Sequence, residues 1–407
     1  MTIVQPRILR TLGALEHLFA AYGEDGTMNF SIAARISGTI SESAVTAALA
    51  KVQDRHVLLR VSAGWSPDGA HCFMPTERRI PLRVEVAPIA NWARIAESEM
   101  NRPLLSSDSP LVRGTIVGEL GATTLVLTFN HAITDGMGAV LVMREVLTAL
   151  SGAALPEVPG DARLEERIGL EVPLFHRHST LSGETTCEDL GGDSAPTSRT
   201  TVDSIEIDRD RLAKLLCTAR SRDTTLNSMM TAALGNALVN IGDQWRRKPL
   251  RVMSPIDLRS GFDIPEHVGL SLSIAITSFE RGDTAFWDEV HRVHQQIAKF
   301  RDRKMAIWMV GDIAKRCIED PSYDATRRRV LEHSPFDSIM TNFGVLGMQT
   351  HFGDLVVENI WAPALRSVPG QDAVAAATFD GGLSLVHTSV AGTDGLLARL
   401  VEIMEGS

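Results

Sequence analysis

No stretch of 18 apolar residues occurs anywhere in the 407-residue chain, so no transmembrane helix is expected. The opening residues, MTIVQPRILRTLGAL, have no apolar signal core, and no secretion signal is apparent. Cysteine is scarce. The four, at 72, 187, 217 and 317, show no C-x-x-C spacing, and they read as reduced thiols of a cytoplasmic protein rather than a disulfide set. Lysine and arginine form no long stripe, and the net charge is −10, which argues against nucleic acid as a partner. The triplet Arg327-Arg328-Arg329 reads as a solvated helix face, with a phosphate contact as the other reading. There is no G-x-S-x-G elbow and no Walker motif. Gly136-Met137-Gly138 lacks the third glycine and the acidic partner of a dinucleotide fingerprint. His176-Arg177-His178 and the pair His291 and His294 have no cysteine or aspartate ligands in a metal-binding pattern. The expectation is a protein with no metal and no redox cofactor.

What is present is an ordinary apolar share, 44%, enough for a sizeable core. At about 100–200 residues per domain the length points to two lobes. The first part alternates helix and strand. Helices are expected over 12–22, 42–55, 91–100 and 137–150. Strands are expected over 28–38, 58–64, 70–74, 81–87, 111–118 and 122–129. Residues 156–199 are rich in Gly, Ser, Thr, Pro and acids and read as a polar connection, with a flap over a substrate channel as the alternative. The second part repeats the alternation. Its expected helices are 209–220, 225–241, 284–302, 305–318 and 393–405. Its expected strands are 202–207, 250–256 and 270–277, with those near 338–343, 354–360, 373–379 and 383–389 finishing the sheet. Interleaved strands and helices imply an α/β architecture with helices packed on mixed sheets. The boundaries that follow are a first lobe over 1–155, a connection over 156–199 and a second lobe over 200–407.

The most informative stretch is Thr128-Phe129-Asn130-His131-Ala132-Ile133-Thr134-Asp135-Gly136. The apolar run Thr124 to Phe129 reads as a buried strand. His131 stands where that strand gives way to a loop, and a helical pattern follows from Ala139. A rigid strand ending in an open loop is a suitable place to present a catalytic base. Gly136 suits a turn that a side chain would obstruct.

An H-x-x-x-D-G motif at a strand end resembles the active-site motif of the CoA-dependent acyltransferase superfamily. That group includes chloramphenicol acetyltransferase, the plant BAHD enzymes, condensation domains and the polyketide-associated PapA-type O-acyltransferases. Further segments carry the resemblance in order. They are Leu12 to Ala21, Gly38 to Arg60 (with Val57 where proline is usual), Arg102 to Arg113, Thr225 to Leu238, Pro255-Ile256-Asp257-Leu258-Arg259, and Thr341-Asn342-Phe343-Gly344. Length and lobe order are most similar to the PapA type. Asn130 stands where condensation domains carry a first histidine, which argues against a peptide-bond-forming domain. Asn342 to Gly347 departs from the plant D-F-G-W-G.

The resemblance implies two chloramphenicol acetyltransferase-like lobes with an active-site channel between them. It implies His131 as general base and Asp135 as a structural carboxylate paired with an arginine, for which Arg259 is the best candidate. It implies Asn342 as a polar group near the reacting centre that donates to an oxyanion or holds a loop; by residue type alone Asn342 reads as a strand-end turn residue before Gly344. The expected activity is O-acyl transfer from an acyl-CoA or acyl carrier protein thioester, itself a co-substrate, to a hydroxyl of a polyketide, lipid or other secondary metabolite. A small-molecule alcohol is therefore the expected acceptor and a monomer the expected state. Two alternatives stand beside this: a free-standing condensation enzyme forming an amide between carrier-bound substrates, and a non-catalytic binding module on the same fold.

Overall fold

The computed structural model describes residues 7–23, 27–87, 91–105, 107–158, 160–171, 174–176, 199–242, 248–280, 282, 284–319, 335–366, 370–390 and 393–407. In chain order the strands are β1 Arg10–Thr11, β2 Asn29–Ser37, β3 Val61–Trp65, β4 His71–Pro75, β5 Leu82–Val86, β6 Val112–Glu119, β7 Ala122–Asn130, β8 Thr200–Ile207, β9 Leu250–Asp257, β10 Leu272–Phe279, β11 Ser338–Val345, β12 His351–Phe352, β13 Leu355–Leu365, β14 Asp372–Phe379 and β15 Gly382–Val390. The helices are α1 Ala14–Gly23, α2 Glu42–Arg55, α3 Trp92–Met100, α4 Gly136–Leu150, α5 Leu164–Ile168, α6 Arg209–Ser221, α7 Leu226–Ile241, α8 Arg259–Phe262, α9 Phe286–Phe300, α10 Arg303–Glu319 and α11 Leu396–Glu405.

Two six-stranded mixed sheets organise these elements. The first has the order β12-β13-β2-β7-β6-β5 and the second β10-β9-β11-β14-β15-β8. A small sheet, β1-β4-β3, stands apart. The strand β7 lies between β2 and β6, antiparallel to both. All nine of its residues are buried, and inside the lobe Thr128 Oγ1 donates to Glu99 at 3.0 Å. Each fully buried Leu, Val or Phe on it stabilises the lobe by roughly 1.5–3 kcal/mol. Helices α2 and α4 pack together and α4 lies on β2 and β7, while α3 also contacts β2. In the second lobe α7 packs on β9 and against α9 and α11.

Local capping chemistry sets several helix starts. Ser41 accepts the Ala44 N–H, Asp208 that of Arg211 and Thr225 that of Ser228, each satisfying an amide that has no partner within the helix. The structure differs from expectation in three places. Residues 57–60 form a 3-10 turn before β3, because His56 is held 2.7 Å from Glu145 of α4 and Leu58 and Leu59 are buried. The strand expected over 270–277 begins only at Leu272, since the backbone just before it is used elsewhere, as described below. The strand expected near 354–360 does not finish the second sheet. It pairs antiparallel with β2, Trp361 opposite Ala33, and so completes the first sheet. Of the polar connection, residues 159, 172–173 and 177–198 lie outside the described residues, and so does Arg327-Arg328-Arg329. The remainder of the connection carries α5 and a buried Phe175.

Candidate active site

His131 follows β7 in the turn that leads to α4, and it is half-buried. Its ring stacks on Phe19 of α1 with centroids 4.4 Å apart, and Phe30 of β2 lies 4.9 Å away. Nδ1 is buried and makes no hydrogen bond of good geometry, so Nε2 is the nitrogen that meets the adjoining cavity. Burial pushes the imidazole pKa below its ordinary value. The charge of Asp135 and the nearby backbone of His131 and Thr134 oppose this without cancelling it. The ring is therefore neutral at neutral pH, the form that can accept a proton.

Asp135 does not face His131's chemistry. It caps α4, its Oδ1 accepting the Gly138 N–H at 2.9 Å, where a carboxylate also meets the positive end of the helix. Arg259, at the start of α8, donates from Nη1 to Oδ2 and from Nη2 to Oδ1, both at 3.0 Å. The Ser271 N–H donates to Oδ2 at 2.8 Å, and the Asp135 N–H donates to the Gly269 carbonyl at 3.3 Å. The segment before β10 is thus a bracket that grips the motif loop of the opposite lobe. Burial alone would raise the Asp135 carboxyl pKa. The Arg259 charge and these hydrogen bonds outweigh it and hold the group below the ordinary carboxylate value.

Gly136 has a steric reason. A Cβ there would stand 1.8 Å from Cε1 of Phe343, so the ring of β11 closes against the first turn of α4 only because the residue is glycine. Asn342, next to Phe343, accepts the Gly344 N–H on Oδ1 at 2.9 Å, which leaves its Nδ2 as a donor at the cavity wall. Asn130, the last residue of β7, holds the turn that follows. Its Nδ2 donates to the Leu104 carbonyl at 2.9 Å and its Oδ1 accepts the Ala132 N–H at 3.0 Å.

A cavity of about 280 Å³ gathers these groups. His131, Asp135, Gly136, Arg259 and Asn342 all line it. The first lobe contributes α1 and Phe30, and the second β9, β10 and β11. Its walls are mainly apolar, with Leu18, Phe19, Met253, Ile274 and Phe336 among them. Two residues here had no prior role in the sequence reading. Asp257 is a second carboxylate for Arg259, at 2.8 Å, and His267 is a buried histidine whose Nε2 lies 3.4 Å from Ser271 Oγ. Asp257 and Arg259 belong to one P-I-D-L-R segment, so both residues were visible although their pairing was not. Nothing in the sequence singles out His267.

The remaining histidines carry separate tasks. His291 contacts the Arg222 carbonyl and His294 the Ser228 hydroxyl. Among the described residues no group of three His, Cys, Asp or Glu could hold a metal ion. Cys72, Cys217 and Cys317 are free thiols. Among the described residues no helix is long and apolar enough to cross a membrane.

The two-lobed architecture matches known structures over nearly full length. Polyketide synthase associated protein 5 from Mycobacterium tuberculosis superposes with a TM-score of 0.66 at 17% identity, covering 99% of this chain and 98% of that one. The fold is the two-lobed one that acyltransferases and condensation domains share. TRI3 trichothecene 15-O-acetyltransferase from Fusarium sporotrichioides gives a TM-score of 0.69 at 12% identity, over 97% of this chain and 94% of that one. The first condensation domain of the CDA synthetase gives 0.67 at 14% identity, over 99% and 97%. No family model matches the chain, and no curated protein matches it by sequence. At such identities the likeness establishes the acyltransferase-type fold and leaves chemistry to the residues themselves.

Proposed function

We propose that the protein is an O-acyltransferase, moving an acyl group from a CoA or carrier-protein thioester to the hydroxyl of an apolar small molecule. It would act as a cytoplasmic monomer on a polyketide, lipid or other secondary metabolite. One observation carries the reading. A neutral imidazole presents Nε2 to an apolar cavity between two lobes, on a loop gripped from the second lobe through Asp135 and Arg259. In the proposed reaction the alcohol oxygen attacks the thioester carbonyl as Nε2 takes its proton. The C–S bond of the tetrahedral species then breaks, and the imidazolium returns the proton to the leaving sulfur. Acyl, proton and electron pair all balance, with no covalent enzyme intermediate. Asn342 Nδ2 is the proposed donor to the oxyanion. The apolar walls favour an apolar acceptor and exclude the water that would hydrolyse the thioester.

The test is CoA release and product mass from acetyl-CoA with paired substrates that differ only in hydroxyl versus amine, on the parent and on His131→Ala. The expected result is transfer to the alcohol, with the alanine variant slower by ~10²–10⁴-fold and folded like the parent. Full turnover by His131→Ala removes the base assignment. Clear preference for the amine converts the reading to the amide-forming reaction.

A further inference from the structure

A second cleft, of about 1000 Å³, opens along α3 near the start of β8. One wall is a single face of α3. Asn91, Arg94, Ser98 and Asn101 follow one another at three- and four-residue spacing, and Arg102 stands just past the helix end. Arg199, ahead of β8, and Arg366, after β13, face them. Four arginines thus line the cleft with one carboxylate, Glu97.

The local charges do not cancel. Glu97 is taken by Arg199 at 2.7 Å. Arg102 shares the buried Glu99 with Arg113 and with Arg83, which also pairs with Glu85, so three guanidinium groups stand on two carboxylates. Arg94 is exposed and forms no ion pair among the described residues. Such an excess of cation is unexpected by composition in a chain with a net charge of −10, and it calls for an anionic ligand.

This cleft and the His131 cavity share a wall. The Arg366 N–H donates to the Asn29 carbonyl and the Met28 N–H to the Arg366 carbonyl, both at 2.7 Å. Nη1 of Arg366 donates to the Met100 carbonyl at 2.9 Å. Met28 and Leu365, the neighbours in these contacts, line the His131 cavity.

We propose that the α3 cleft binds the phosphate groups of the thioester donor. Guanidinium groups pair with phosphate oxygens through charge-assisted, often bidentate hydrogen bonds, and the Asn and Ser side chains supply neutral partners. The inference rests on the acyl-transfer reading of His131. The phosphate has two possible sources, free CoA or the phosphopantetheine of a carrier protein.

The experiment is isothermal titration of the full chain with CoA, dephospho-CoA and pantetheine, and with an acyl carrier protein in its holo and apo forms. The proteins are the parent, the Arg94→Glu/Arg199→Glu double variant and His131→Ala. The expected result is that the parent binds CoA at least about tenfold tighter than pantetheine. The double variant should lose that advantage, with melting temperature and pantetheine binding as in the parent, and His131→Ala should bind CoA like the parent. A phosphate advantage seen only for holo over apo carrier, and abolished in the double variant, assigns the phosphate to a carrier. Phosphate-independent binding, absence of binding to both sources, or unchanged CoA binding by the double variant overturns the inference. Phosphate-dependent binding without any acyl transfer by the parent would instead remove the acyl-transfer reading and leave the cleft assignment standing.

Discussion

Replacing Asp135 with asparagine should destabilise the protein far more than a typical polar substitution. Four hydrogen bonds reach the two carboxylate oxygens: two from Arg259, one from Gly138 and one from Ser271. Asparagine keeps one acceptor oxygen and turns its NH₂ toward groups that are themselves donors. Arg259 then sits buried with only the partly exposed Asp257 as counter-charge. Breaking one side of a buried ion pair costs about 3–5 kcal/mol. For lobes of this size that is a drop of roughly 6–20 °C in melting temperature. The sign with pH is fixed as well. The folded pKa of Asp135 lies below its unfolded value, so its stabilisation is complete above the unfolded pKa and is lost as pH falls through the folded one. The gap between parent and variant should therefore be widest near neutrality and narrow in acid. The assay is thermal unfolding of Asp135→Asn, Arg259→Met and the double variant from pH 7 downward, beside CoA release. The double variant should lose much less than the sum of the singles. A variant that melts like the parent yet loses turnover would refute the argument and make Asp135 a direct participant.

Two further outcomes are expected. Because burial lowers the His131 pKa, the acid limb of kcat/KM should fall below the ordinary imidazole value of about 6.5; a midpoint above that value, followed in a pH–rate profile, would contradict the burial argument. Gly136→Ala should force the Phe343 ring into the cavity and raise KM for the acceptor, and a further Phe343→Leu substitution should restore it. Failure of that rescue in steady-state kinetics would show that the glycine serves backbone geometry instead.

Much of the secondary structure was legible because its signals are local. The helix expected over 42–55 is α2, Glu42 to Arg55, and the apolar run before His131 lies in the buried strand β7. The H-x-x-x-D-G and P-I-D-L-R segments could be found, but their meeting is a tertiary fact. Leu270 and Ser271 alternate like strand residues, yet their neighbourhood is spent gripping Asp135. The partner of β13 was misplaced because its residues specify a strand and not which sheet receives it. His267 and the arginines of the α3 cleft were invisible because their significance lies in convergence from distant parts of the chain.

The pairing of β13 with β2 bears on how the protein is made. Ala33 waits for Trp361, so at ribosomal rates of 5–20 residues per second the outer edge of β2 stays open for roughly 15–65 s. That edge belongs to a strand buried for most of its length, and an open apolar edge recruits other strands. The nascent first half is therefore expected to need protection from such pairing until β13 is made. Expressed alone as residues 1–199 it should aggregate, and supplying residues 200–407 as a separate chain should recover soluble, assembled protein.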